Sequence, residues 1–151
     1  MIKIICIGSI KKDYLKKAIL DYKTRIEKYH KIKIIELPNI VDKNPQNILL
    51  KEKELILKNI DCKDYIISLQ IDGKKITSGE LANKINNIFV NYRNITFIIG
   101  GSYGLDSEVI NKSNFQLSFS SLTFPHQLFR VILLEQIYRS FKILNNESYH
   151  K

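Results

Sequence analysis

Apolar residues in this chain fall into short unbroken runs and into longer stripes spaced by three and four. Runs at Ile2–Ile7, Ile32–Leu37, 65–69, 95–99 and 115–119 have the length of strands. Their nearly continuous apolar character suits strands buried on both faces of a parallel sheet. Between the first two, Leu15, Ala18, Ile19, Tyr22, Ile26 and Tyr29 repeat at helical spacing and predict an amphipathic helix. Further helices are predicted over 48–60, after a loop bracketed by Pro38 and Pro45, and over 81–89, after an Asp72-Gly73 turn signal. A short helix through Lys112 begins with Asp106 or Ser107 as its cap. The last spans 128–141, with Pro125 suited to a first helical position. Strands alternating with helices define an α/β domain, a mostly parallel sheet with helices on both faces. With no repeat, linker or low-complexity segment, residues 1–151 read as one domain.

Composition narrows this picture without changing it. A chain of 151 residues, 44% hydrophobic and 26% charged, has the length and balance of one globular core. No apolar stretch approaches the roughly 18 residues that span a bilayer. The first residues read as a strand without a basic leader segment, so the expected location is the cytoplasm, with no membrane partner. Cys6 and Cys62 have neither CxxC nor metal-ligand spacing; they are expected to be reduced core thiols, and no metal is expected. The net charge of +9 is concentrated, since residues 1–33 hold ten basic against three acidic residues, +7 of the total. Such a patch suits a polyanion, nucleic acid above all. Lys12, Lys16 and Lys23 lie off the apolar stripe of the first helix and are the expected contacts.

Candidate chemistry lies in the last fifty residues. Gly100-Gly101-Ser102-Tyr103-Gly104 follows a strand and is neither a dinucleotide fingerprint nor a P-loop. It fits G-x-S-x-G, and Ser102, Asp106 and His126 occur in hydrolase order, so a small serine hydrolase is one reading. The acid, however, follows the serine by only four residues, and glycines serving a tight turn and close backbone approach fit better. His126 with Arg130, and Glu135 with Arg139, are i,i+4 pairs on a helix apolar over most of its circumference. Charges on such a helix should be paired or used, and its apolar excess favours a homodimer. The chain closes on Tyr149-His150-Lys151, an aromatic and two basic groups able to fold over a nucleotide.

Taken together these motifs resemble the RlmH family of SPOUT-class RNA methyltransferases, which methylate N3 of a pseudouridine in 23S ribosomal RNA. The resemblance runs from Ile4-Ile5-Cys6-Ile7-Gly8-Ser9-Ile10-Lys11 through Gly73-Lys74 and Phe97-Ile98-Ile99-Gly100-Gly101. It is densest in Thr123-Phe124-Pro125-His126-Gln127-Leu128, in Arg130-Val131-Ile132-Leu133-Leu134-Glu135-Gln136-Ile137-Tyr138-Arg139 and in Tyr149-His150-Lys151. It implies a deep trefoil knot over roughly 95–151, an exception to unknotted chains. It also implies a homodimer that acts on the ribosome with S-adenosylmethionine as cofactor. Carried over residue by residue, the cofactor contacts are Leu69, Gly100, Phe119, Ser120, Ser121, Leu122, Thr123 and Phe124. The catalytic set is Glu135, Arg139 and His150, and Tyr149 and Lys151 join the RNA contacts. Ser121-Leu122 departs from a more usual Lys-Met pair, Phe129 and Ser140 stand where alanine is common, and the 37–46 region is short. A non-catalytic ribosome-binding module would share the charge pattern without the chemistry.

Overall fold

A computed structural model describes residues 1–150. Its ten elements run β1 (Ile2–Ile7), α1 (Asp13–Glu27), β2 (Ile32–Leu37), α2 (Pro45–Lys58), β3 (Asp64–Lys75), α3 (Ser78–Asn91), β4 (Asn94–Ile99), α4 (Ser107–Lys112), β5 (Phe115–Ser118) and α5 (His126–Leu144). The five strands form one sheet in the order β2-β1-β4-β3-β5, and every neighbouring pair is parallel. The central strands β1 and β4 are buried almost throughout, as their unbroken apolar runs require, whereas the edge strands β2 and β5 carry exposed positions.

Alternate residues of the strands supply two cores. On one face Ile2, Ile4, Cys6, Phe97 and Ile67 pack with α1, α3 and α5; on the other Ile5, Ile7, Ile98 and Ile66 pack with α2 and α4. Three helices, α2, α3 and α4, start on side chains that satisfy free backbone N–H groups. Asn44 accepts from Gln46 N at 2.9 Å before Pro45, and Asp106 accepts from Glu108 N at 2.9 Å. At Thr77 the cap is reciprocal, with Thr77 N donating to Glu80 Oε2 at 2.7 Å. The α3 connection leads from β3 to β4 over one face, and α4 leads from β4 past β3 to β5 over the other. The direction of winding therefore reverses between β3 and β4, and sheets of this type hold ligands beyond the strand ends at such a point.

Four expectations are corrected. Asp72-Gly73 does not end a strand but lies within β3, where Leu117 of β5 pairs with both Leu69 and Lys74. Residues 70–73 thus leave the ladder and rejoin it, and Gly73 permits this because a Cβ there would fall 2.7 Å from the Leu117 carbonyl carbon. Pro125 is the cap residue and His126 opens α5. Cys62 is exposed in the turn before β3, whereas Cys6 is buried in β1, where desolvation pushes its thiol up to about 12. His126 and Arg130 do not pair, as described below.

Candidate active site

A cavity opens at the C-terminal ends of β3, β4 and β5. Leu69, Gly100, Phe119, Ser120, Leu122, Thr123 and Phe124 line it, joined by Gln70, Ile71, Ile99, Gly101, Ser102, Gly104, His126 and Phe129. Ser121 is the exception among the anticipated contacts: it is exposed, and its hydroxyl receives the Lys75 ammonium. The 70–73 excursion brings in Gln70 and Ile71, which local sequence could not suggest because the register shift depends on β5. Phe129 meets Phe119 edge-on at 5.0 Å and stacks on Phe124 at 5.8 Å, giving the cavity an aromatic wall.

Glycine geometry shapes the opposite wall. A Cβ on Gly100 would collide with the Gly104 carbonyl, and one on Gly101 would lie 2.8 Å from both carboxylate oxygens of Glu52. Gly104 takes φ +79°, a left-handed conformation natural to glycine, and its N–H donates to Gly101 O at 3.1 Å. Across the cavity Ser120 Oγ accepts from Leu122 N at 3.0 Å, which holds the 120–122 turn. No formally charged side chain lines the cavity. Partial desolvation lowers the His126 pKa, and the nearby Arg130 adds to the effect, both disfavouring the charged imidazolium.

Arg130 has a different role from the helical pair that its spacing suggested. Only 2% of it is exposed; Nη2 donates to the carbonyls of Ile7 and Gly8, each at 2.7 Å, and Nη1 donates to Glu36 Oε1 at 2.9 Å. Glu36 Oε1 also accepts from Ile10 N at 3.1 Å. One buried guanidinium therefore fastens the start of α5 to the ends of β1 and β2. The Ser102, Asp106 and His126 set does not assemble into a triad. Asp106 Oδ1 is occupied as the α4 cap, and no hydrogen bond links Ser102 to His126 among the described residues.

A second cluster lies further along α5. Glu135 Oε1 accepts from Arg139 Nε at 3.0 Å, from Arg139 Nη2 at 2.6 Å and from Tyr149 Oη at 3.1 Å; Gln136 Nε2 reaches Oε2 at 2.7 Å. The Arg139 guanidinium lies 4.7 Å from the Tyr149 ring centre, and its Nη1 is 3.4 Å from His150 Nδ1. Burial, then the Tyr22 and Glu135 oxygens, pushes the Tyr149 phenol up to about 12, so it remains a donor. Glu135, Arg139, Tyr149 and His150 are thus brought together, while Lys151 lies outside the described residues. The cluster and the cavity are separate within one chain, since Glu135 follows the cavity residue Phe129 by six positions, about 9 Å along the helix axis.

Next to this cluster lies the basic helix. Tyr22 of α1 and Tyr29 in the turn after it pack on Tyr138 at 6.2 and 6.3 Å, and Arg25 Cζ lies 5.8 Å from both the Tyr22 and Tyr138 rings. Lys12 is exposed at the start of α1, while Lys16 and Lys23 make loose 3.5 Å pairs with Asp13 and Glu27. Arg25 was not singled out by the sequence; its position one residue before the buried Ile26 gave no sign that it would reach α5. Among the described residues no group of three or more His, Cys, Asp or Glu side chains is placed to hold a metal, and no helix is long and apolar enough to cross a membrane.

A parallel sheet with an uncharged, glycine-walled cavity at a winding reversal, and a carboxylate–guanidinium cluster on the following helix, defines an α/β protein with a candidate small-molecule site at its strand ends. Residues 1–150 match the family described as "Predicted SPOUT methyltransferase", and the chain belongs to it. A protein of Methanococcus vannielii, whose name carries the rRNA activity provisionally, is 52% identical over 99% of both chains. Proteins named ribosomal RNA large subunit methyltransferase H from Clostridium tetani and Clostridium botulinum are 47% and 48% identical, again over 99% of both chains. In fold the chain is similar to a solved methylase family protein of Haemophilus influenzae, with a TM-score of 0.58 at 20% identity over 99% of this chain and 70% of that one. A tRNA (m1G37) methyltransferase from Aquifex aeolicus gives a TM-score of 0.57 at 12% identity over 91% and 69%.

Proposed function

We propose that this protein methylates N3 of a pseudouridine in 23S ribosomal RNA on the ribosome, using S-adenosylmethionine and working as a homodimer. Support for the substrate comes from near-complete alignment with proteins named ribosomal RNA large subunit methyltransferase H. The observation that carries the chemistry is that α5 joins the glycine-walled cavity to the Glu135–Arg139 pair, over which Tyr149 and His150 fold back.

The cavity suits S-adenosylmethionine. Phe119, Phe124 and Phe129 offer apolar surface to the adenine, the bare backbone at Gly100 and Gly101 admits close approach, and exposed main-chain groups can meet ribose and amino-acid polar atoms. Held there, S-adenosylmethionine would supply an activated methyl group for transfer to N3. The protein must hold N3 in line and manage its imide proton. Glu135, engaged by four donors, orients the Arg139 guanidinium, which stabilises charge developing on the base or grips a phosphate. The proton goes to Glu135 or His150, and the pH–rate profile of Glu135→Gln separates them by losing or keeping its acidic limb.

The homodimer follows from the distance between the two halves. Leu128, Ile132, Glu135 and Arg139 share one stripe of α5 that is not fully covered, and Ile71 and Leu122 stand exposed at the cavity rim, 51% and 71% accessible. A second copy covering these surfaces would bring its cluster to this chain's cavity. The trefoil knot over roughly 95–151 is part of the same proposal. Transfer of radiolabelled methyl to ribosomes is the decisive measurement. Glu135→Gln, Arg139→Ala and a chain truncated before Tyr149 should each lose at least about 100-fold in rate while still binding the cofactor. Near wild-type rates in all three would remove the site assignment and leave the fold untouched.

A further inference from the structure

Two carboxylates are buried among the described residues, and Glu52, unlike Asp64, has no cation beside it. It lies on α2, is 4% exposed, and its Oε2 has no hydrogen-bond partner among the described residues. A Cβ on Gly101 would lie 2.8 Å from both of its oxygens, so any side chain there would have to displace the carboxylate, and Gly101 also lines the cavity.

Most charged groups on the surrounding elements are engaged elsewhere, while Glu54 and Lys58 of α2 make no ion pair among the described residues. On α2 itself, Lys51 pairs with Asp42 at 3.2 Å and Lys53 with Glu108 at 3.2 Å. On α4, Glu108 also holds Lys112 at 3.1 Å, and Asp106 caps the helix. Glu36 on β2 is taken by Arg130, and Asp64 on β3 by Lys3. Burial alone accounts for the upward shift of the Glu52 pKa, with no charge acting on it. No carboxylate, ammonium or guanidinium lines the cavity wall, and Glu52 lies next to the lining residue Gly101.

This matters for methyl donors because they differ from their products in charge. S-adenosylmethionine carries a sulfonium cation, and the demethylated thioether left after transfer does not. We propose that Glu52 is a specificity-determining residue that, from behind Gly101, favours the cationic methyl donor over its neutral product and so promotes product release. The inference rests on the assignment of the cavity to S-adenosylmethionine. A carboxylate separated from the ligand by one glycine acts through low-dielectric protein, where a unit charge is felt at distances that water would screen. Binding the cation should in turn favour the ionised carboxyl and draw its pKa back down.

Calorimetry of the full chain with S-adenosylmethionine and, separately, its demethylated product tests this without turnover. Glu52→Gln keeps the shape and removes the charge. It should weaken binding of the methyl donor by about tenfold and leave the product within about twofold, so that the preference collapses. Equal loss for both ligands would mean that Glu52 only shapes the turn, and no loss for either would mean that its charge is not felt; each overturns the inference. Should Glu52→Gln fail to fold, wild-type affinities measured across acidic to neutral pH decide. Affinity for the methyl donor that falls more steeply than that for the product as pH drops supports the inference, and parallel profiles overturn it. A wild-type protein that binds neither ligand would instead remove the cofactor assignment, and this inference with it.

Discussion

A single methyl group decides whether the glycine turn can exist. Gly100→Ala would press a Cβ into the Gly104 carbonyl, a backbone atom held by the turn's own hydrogen bond. The expected cost is about 1–3 kcal/mol of stability from overpacking, with cofactor affinity lowered by at least about tenfold, measurable by urea denaturation and calorimetry. These glycines were legible in the sequence as a turn; which atoms each one must avoid was not. Glu52 shows the same limit from the other side. Among Lys51, Lys53 and Glu54 it reads as part of a solvated helix face, and only the packing of α2 against the 100–104 turn buries it. Glu135 and Arg139, by contrast, were fully readable, because a pair four residues apart on a helix needs no tertiary information to meet.

Elements are held to one another by buried polar groups at both ends of the sheet. At the N-terminal ends of the strands, Asp64 of β3 accepts from Lys3 of β1 at 2.7 Å, from Asn94 and Thr96 of β4 at 2.9 and 2.8 Å, and from Asp61 N at 3.2 Å. Burial pushes this carboxyl up, but the four donors outweigh it and bring it below its ordinary value. A carboxyl depressed in the folded state stabilises above its ordinary value of 3.8 and loses that contribution as pH falls through the lower folded value. Asp64→Asn should therefore cost about 3 kcal/mol at neutral pH and flatten the acid side of the stability curve, as followed by denaturation from pH 7 to 2. At the C-terminal ends Arg130 plays the equivalent part. Arg130→Ala should cost about 3 kcal/mol, lowering the urea midpoint with an unchanged slope, because two carbonyls lose their donor. Strands and helices were largely predictable, since β1 and β4 are apolar at nearly every position and α1 has a clean stripe. The partners of Arg130 were not, since its spacing from His126 pointed to a local pair. Likewise Asp72-Gly73 carries the local chemistry of a turn, and only pairing with Leu117 makes it an excursion inside a strand.

For the molecule as a whole, the proposed dimer predicts complementation. A variant lacking the cavity, such as Gly100→Val, and one lacking the cluster, such as Glu135→Gln with Arg139→Ala, should each be inactive. If sites are built across a dimer, mixing equal amounts after subunit exchange should restore roughly a quarter of the wild-type methyl transfer. No recovery, with exchange verified, would place cavity and cluster in one chain. Charge distribution makes a second prediction at this scale. Reversing Lys12, Lys16 and Lys23 should weaken ribosome binding and reduce its dependence on salt, while an unchanged salt slope would mark α1 as merely solvated. The Arg130 staple has a further consequence, for motion. It joins positions 122 and 123 residues apart, so the helix behind the cavity cannot swing away unless the ends of β1 and β2 are also released. Amide hydrogens at the start of α5 should then exchange only when the entire domain opens, at the slow rate of the central strands, and never by a private fluctuation of a lid. Entry and exit of ligands would be left to the exposed rim at Ile71 and Leu122, hinged above a floor that does not breathe.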